Sequence, residues 1–179
     1  MIQRKASLLA LLLLPITLAA QEIKPRVSPL AFATARYKDA YLKITYSQPD
    51  KNNKEVFGSA VPYGEVWKTG DHEATEITVT RDVVLNGIIL KAGTYSIFTI
   101  PNKETWTIII NSDLGLWGSY NYNQKNDLFR FDVPVQSTDG TIYERFTIEA
   151  DQRNDKAQIS LLWDKTKVSF PVQFNEPKP

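Results

Sequence analysis

From Tyr41 to Phe174 the apolar residues recur at alternate positions in run after run, and no stretch shows the 3.6-residue period of a helix. In "YLKITYS" Leu42, Ile44 and Tyr46 share one face while Lys43 and Thr45 take the other, and in "EITVT" Ile77 and Val79 alternate with Thr78 and Thr80. A chain patterned this way can bury one face of each strand. The sequence "VVLNGIIL" places Asn86-Gly87 between apolar flanks, a hairpin signal, because both central residues of a type I′ turn need positive φ. Ala92-Gly93 makes the next turn. "TYSIFTI" and "TWTIIIN" follow, joined across Pro101 to Glu104, and then come "LFRFDV", "YERFTIEA", "AQISLLW" and "KVSFPVQF", with the turn-rich "STDG" and "DQRNDK" between them. Roughly nine strands on short connections predict an all-β chain, a single antiparallel β-sandwich of jelly-roll type over residues 41–174 with little helix. At most a turn or two of helix is expected, first of all in "YGEVW". Residues 21–40 read as a lead-in and residues 175–179 as a frayed tail.

The first residues, "MIQRKASLLALLLLPITLAA", set Arg4 and Lys5 before an apolar run from Leu8 to Leu14, then Pro15 and a small-residue end at Ala19 and Ala20. This is the pattern of a secretory signal peptide, and the run is far shorter than the roughly 20 residues of a membrane-spanning helix. The expectation is a periplasmic or secreted protein without a membrane span. About 159 residues would remain after cleavage, enough for one domain with its own core.

Without Arg4 and Lys5 the remaining 19 basic residues nearly balance 20 acidic ones, which gives no electrostatic case for nucleic acid. There is no Cys, so disulfides, cysteine nucleophiles and thiolate zinc sites are excluded. The single His, His72, excludes zinc sites built from two or three imidazoles of one chain. Nothing in the sequence calls for a cofactor.

The candidate chemistry gathers in "VPYGEVWKTGDHEATEI" and "DLGLWGSYNYNQKND". His72 lies between Asp71 and Glu73 and reads first as a solvated loop side chain, with ligand contact and proton transfer as alternatives. With Ser59 it would make a hydrolase dyad, but no Gly-x-Ser-x-Gly elbow is present. Glu65, Asp71 and Glu73, or Asn111, Asp113, Asn121, Asn123 and Asp127, could offer oxygens to a hard cation; turn chemistry explains both groups better. Glu65 and Glu73 could also form a glycosidase pair. The aromatics are more suggestive. Trp67, Trp117, Tyr120 and Tyr122 stand in or beside Gly- and Asn-rich loops, where flat apolar rings with polar handles suit sugars or peptides, or else fold down to cap a core. Lys68 could add a cation at the rim. The leading expectation is a noncatalytic binding module for a glycan, a peptide or another small polar ligand, using Trp67, Lys68, His72, Glu73, Trp117, Tyr120 and Tyr122. The alternatives are an envelope-saccharide hydrolase using Glu73 and His72, and a structural or assembly partner in the cell envelope.

Taken with "LKAGTYSIFTIP", "WTIIIN" and "WGSYNY", the "VPYGEVWKTGDHEATEI" block resembles the bacterial domain of unknown function family 2911, from about Ser28-Pro29 to the last strand. The resemblance implies a mostly β, exported domain and carries no catalytic residues with it. The family pattern reads Trp-Arg-Thr-Gly-Ala-Asn-Glu-Ala-Thr where this chain has Lys68 for the Arg and Asp71-His72 for the Ala-Asn pair. An Asn at the position of His72 implies a need for a hydrogen-bonding side chain of that size more than for a titrating base.

Overall fold

The computed structural model describes residues 26–175. The expected signal peptide, the start of the lead-in and the last four residues of the tail lie outside the described residues. The strands are β1 (Leu30–Tyr37), β2 (Ala40–Ser47), β3 (Thr75–Val79), β4 (Val83–Leu85), β5 (Ile88–Leu90) and β6 (Gly93–Ile100). They continue as β7 (Thr105–Asn111), β8 (Asp127–Ser137), β9 (Tyr143–Arg153), β10 (Lys156–Asp164) and β11 (Thr166–Phe174). The all-β antiparallel expectation is met. Each strand pair is antiparallel, and the main path runs β1-β2-β3-β6-β7-β8-β11-β10-β9, with the β4–β5 hairpin attached to β11.

The two ends of that path come together. The Gln152 side chain imitates a peptide group, accepting from the Arg36 N–H at 2.7 Å and donating to the Arg36 carbonyl at 2.5 Å, so it joins β9 to β1. Farther along, the Phe146 N–H donates to the Pro49 carbonyl (3.0 Å) and the Lys51 N–H to the Glu144 carbonyl (2.8 Å), while the Ile148 N–H donates to Tyr46 Oη (2.9 Å). The sheet therefore nearly closes on itself, and these bonds give partners to several backbone groups at its ends.

Alternation sends one set of side chains inward from every strand, among them Leu42, Ile44, Ile77, Ile97, Ile108, Phe146, Ile159 and Phe170, all buried. At one end the core is aromatic: Phe57, Trp67, Trp106, Phe146 and Trp163 pack at centroid distances from 4.7 to 6.1 Å, mostly edge to face, with Trp67 stacked on Trp163 at 19°. A smaller cluster lies on the outside of the sheet, where Ala74, Phe98 and Ile109 are covered by Leu116 and Tyr122 from the β7–β8 connection. That connection is anchored by the buried Asn111, whose amide donates to the Asn123 carbonyl (3.1 Å) and to Asp127 Oδ1 (2.8 Å) and accepts from the Asp113 N–H (2.8 Å).

The Asn86-Gly87 turn forms as the sequence requires, with φ of 48° and 85° between paired Leu85 and Ile88. Two elements differ from the sequence reading. Strand β1 lies within the segment read as a lead-in; its inward positions include the small Ala33 and Ala35, which give a weak alternation signal. The "YGEVW" stretch makes a turn with Gly64 at φ 77°. The single short helix among the described residues is a 3-10 turn at Gln124–Asn126, started by the Asn123 side chain accepting from the Lys125 N–H.

Candidate functional site

Trp67 continues the line of β3 beyond a break. Its backbone exchanges hydrogen bonds with Thr99 (2.7 and 2.9 Å), an inward position of β6, so its ring enters the core. Between Trp67 and the start of β3 the chain makes a closed excursion, pinched where the Thr75 N–H donates to the Lys68 carbonyl (3.1 Å). Inside it, the Thr75 hydroxyl donates to the Thr69 carbonyl (2.6 Å) and the Trp67 indole N–H to the Gly70 carbonyl (3.0 Å). Gly70 lies in tight space, since a Cβ there would press on the Ser47 carbonyl oxygen at 3.0 Å. Thr69 and His72 both take left-handed backbone conformations, at φ 58° and 57°, which lets the tip of the excursion, Asp71-His72-Glu73, turn outward.

The tip pairs with the β7–β8 connection. The Gly118 N–H donates to the His72 carbonyl (3.0 Å) and the Ala74 N–H to the Leu116 carbonyl (2.8 Å), which sets Glu73 opposite Trp117 in an antiparallel bridge. The two aromatic loops thus meet. The His72 and Trp117 rings lie 5.5 Å apart at 41°. Trp117 is 54% exposed, and Tyr120, 73% exposed, lies over Gly118, where a Cβ would come within 2.5 Å of the Tyr120 ring.

Asp71 is the hub of the lip. Its Oδ2 accepts from the Ser28 hydroxyl (2.7 Å) and its Oδ1 from the His72 N–H (2.8 Å); Lys68 Nζ stands 3.5 Å from Oδ1. His72 Nε2 lies 3.6 Å from Asp71 Oδ2, beyond hydrogen-bond reach, and this buried atom has no hydrogen-bond partner among the described residues. Glu73 pairs with Arg26. Burial works to raise both carboxyls. For Asp71 the Ser28 hydroxyl, the His72 N–H and the nearby His72 and Lys68 outweigh it; for Glu73 the Arg26 guanidinium does so chiefly. Both are held below their ordinary values, so both are carboxylates near neutral pH.

The residues singled out from sequence therefore divide. Lys68, His72, Glu73, Trp117 and Tyr120 line one outward lip. Trp67 packs with the core aromatics inside the sheet and is not part of that lip. Tyr122 belongs to the outer cluster: its ring lies 5.0 Å from Phe98, its hydroxyl donates to Asp127 Oδ2 (2.7 Å), and Arg130 donates to it. Burial, and then Asp127, push this phenol up to about 12. Asn111, Asp113, Asn123 and Asp127 are engaged in the hydrogen bonds that fold the connection. Sequence reasoning missed Arg26 and Ser28, which lie 47 and 43 residues before their partners and carry no local pattern.

Fold and lip together define a nearly closed antiparallel β domain that carries a loop-built polar and aromatic surface on its outside. The chain belongs to the family described as "Protein of unknown function (DUF2911)", whose family model matches residues 28–172. No curated protein and no solved structure matches it. Among the described residues no helix is long and apolar enough to cross a membrane.

Proposed function

We propose that the domain is a noncatalytic binding module that takes a small polar ligand, a glycan or a peptide, on the lip formed by Lys68, His72, Glu73, Trp117 and Tyr120. The observation that carries this reading is the state of Trp117, which is more than half exposed yet fixed by a backbone bridge to Glu73 and by the His72 ring. A flat ring already held in place loses little freedom when a ligand stacks on it. Carboxylates, a guanidinium and an ammonium stand within the same lip and supply both acceptors and donors. The hydrolase alternative draws less support. Glu73 is held as a carboxylate by Arg26 and is a poor proton donor, and the Ser28 hydroxyl donates to Asp71. The signal-peptide pattern of residues 1–20 supports action outside the cytoplasm, in the periplasm or beyond it. Sequencing the N-terminus of the protein from its native cells checks that, with a start near Gln21 expected.

A thermal-shift panel of glycans, cell-wall fragments and short peptides tests the binding. One class should raise the melting temperature saturably, by the equivalent of about 2.7 kcal/mol at a hundredfold excess over Kd. The response should vanish in Trp117→Ala and persist in His72→Gln. A panel with no response, or undiminished binding by Trp117→Ala, would sink the reading.

A further inference from the structure

On the outer face of β1–β3, beneath the β7–β8 connection, lies a groove of ≈ 220 Å³ lined by Leu30, Thr45, Ser47, Glu73, Glu76 and Gly115 among others. We propose that it is a binding site for one basic side chain of a peptide, a lysine or arginine whose aliphatic stem lies along the apolar wall and whose cation meets Glu76.

Strand register builds the site. Phe32, Thr45 and Glu76 are successive cross-strand partners on β1, β2 and β3, so their side chains share the outward face, and Leu30 follows Phe32 on that face. Leu30, which lines the groove, is 53% exposed, so an apolar wall is left open beside a carboxylate; Phe32, next on the same face, is 71% exposed. Glu76 Oε1 accepts from the Gly115 N–H at 3.0 Å, which fixes the carboxylate at the groove, and Glu76 takes part in no ion pair among the described residues.

The chain itself shows which chemistry the groove accepts. Arg26 reaches two of the lining residues: its guanidinium contacts Glu73 and donates to the Ser47 hydroxyl oxygen at 3.3 Å. That cation balances Glu73, so Glu76 is the carboxylate left to a partner. A purely apolar occupant would desolvate Glu76 without pairing it, and an acidic one would be repelled. A long basic side chain satisfies both halves of the surface, because its methylenes cover apolar atoms while its head forms a charge-assisted hydrogen bond. The volume is below the range of about 300–1,000 Å³ typical of small-molecule pockets, which fits one side chain better than a whole ligand. This site shares Glu73 with the lip but uses neither Trp117 nor Tyr120.

The test is an amide chemical-shift titration of the purified protein with Nα-acetyl-lysine amide, set beside Nα-acetyl-norleucine amide and Nα-acetyl-glutamate amide. The lysine compound should move the Thr45, Glu76 and Gly115 amides saturably, and the uncharged and acidic compounds should bind at least tenfold more weakly. Glu76→Gln keeps an acceptor for the Gly115 N–H while removing the charge, so the groove should keep its shape and lose at least tenfold in lysine affinity. Trp117→Ala should bind the lysine compound as the native protein does. Equal response to norleucine, no response at all, or unchanged affinity in Glu76→Gln would overturn the proposal. A response lost in Trp117→Ala but kept in Glu76→Gln would assign the binding to the lip and overturn it equally.

Discussion

Trp67 and Trp117 both stand in connections between strands, each within three residues of a glycine, yet one ring stacks on Trp163 inside the sheet while the other leaves half its surface in water. The difference lies in what each backbone pairs with. Trp67 lies opposite Thr99, whose side chain faces the interior, and paired residues in an antiparallel ladder share a face. Trp117 lies opposite Glu73, at the tip of an excursion that has already left the sheet. A loop aromatic is thus assigned to core or surface by its backbone partner, which neither its type nor its neighbours in sequence reveal.

That contrast can be broken most forcefully at Trp67. Trp67→Ala removes a ring packed against Phe57, Trp106, Phe146 and Trp163, and should cost about 3–5 kcal/mol in urea unfolding. A loss below about 1 kcal/mol would mean that the ring is not part of the core. Next in size, Gly70→Ala drives a methyl against the Ser47 carbonyl and should cost about 1–3 kcal/mol, with shifts in the Asp71 and His72 amides showing that the excursion has moved.

A smaller effect belongs to the acids of the lip. Asp71 and Glu73 have folded values below their ordinary ones, so their contribution is complete above the ordinary carboxylate range and is lost as pH falls through the lower folded values. Denaturant unfolding from pH 7 to about pH 2 should therefore show native protein more stable than Asp71→Asn near neutrality, with the gap closing in acid. A gap that stays constant with pH would refute the pairing of Asp71 with Ser28 and Lys68. Smallest of all, Trp117→Ala should change stability by about 1 kcal/mol or less, since its ring is largely in water, while removing the ligand response. A larger loss would place Trp117 with Trp67 as a packing residue.

Much of this architecture was legible in the residues. Period two and turn chemistry reveal β2, β3 and β6 to β11, and Asn86-Gly87 sets its hairpin, because each signal is local. Strand β1 is harder to see, since its inward positions are small alanines while the larger apolar Leu30 and Phe32 face outward, which inverts the expected alternation. The lip was half legible. His72, Glu73 and Trp117 stand out by type, but their convergence depends on a backbone bridge spanning more than forty residues, and Arg26 and Ser28 join it across separations of 47 and 43 residues. The left-handed Thr69 had no signal, because β-branched residues rarely adopt that conformation and only the surrounding hydrogen bonds hold it there.

The pinch between the Lys68 carbonyl and the Thr75 N–H gives the excursion the character of a cassette. Its entry and exit stand a hydrogen bond apart and are each tied to the frame, Trp67 to Thr99 and Thr75 to Ile97, so the sheet is complete whatever the tip contains. A new tip of similar length could be inserted between Gly70 and Ala74 without rethreading a strand. One frame could then present many different surfaces.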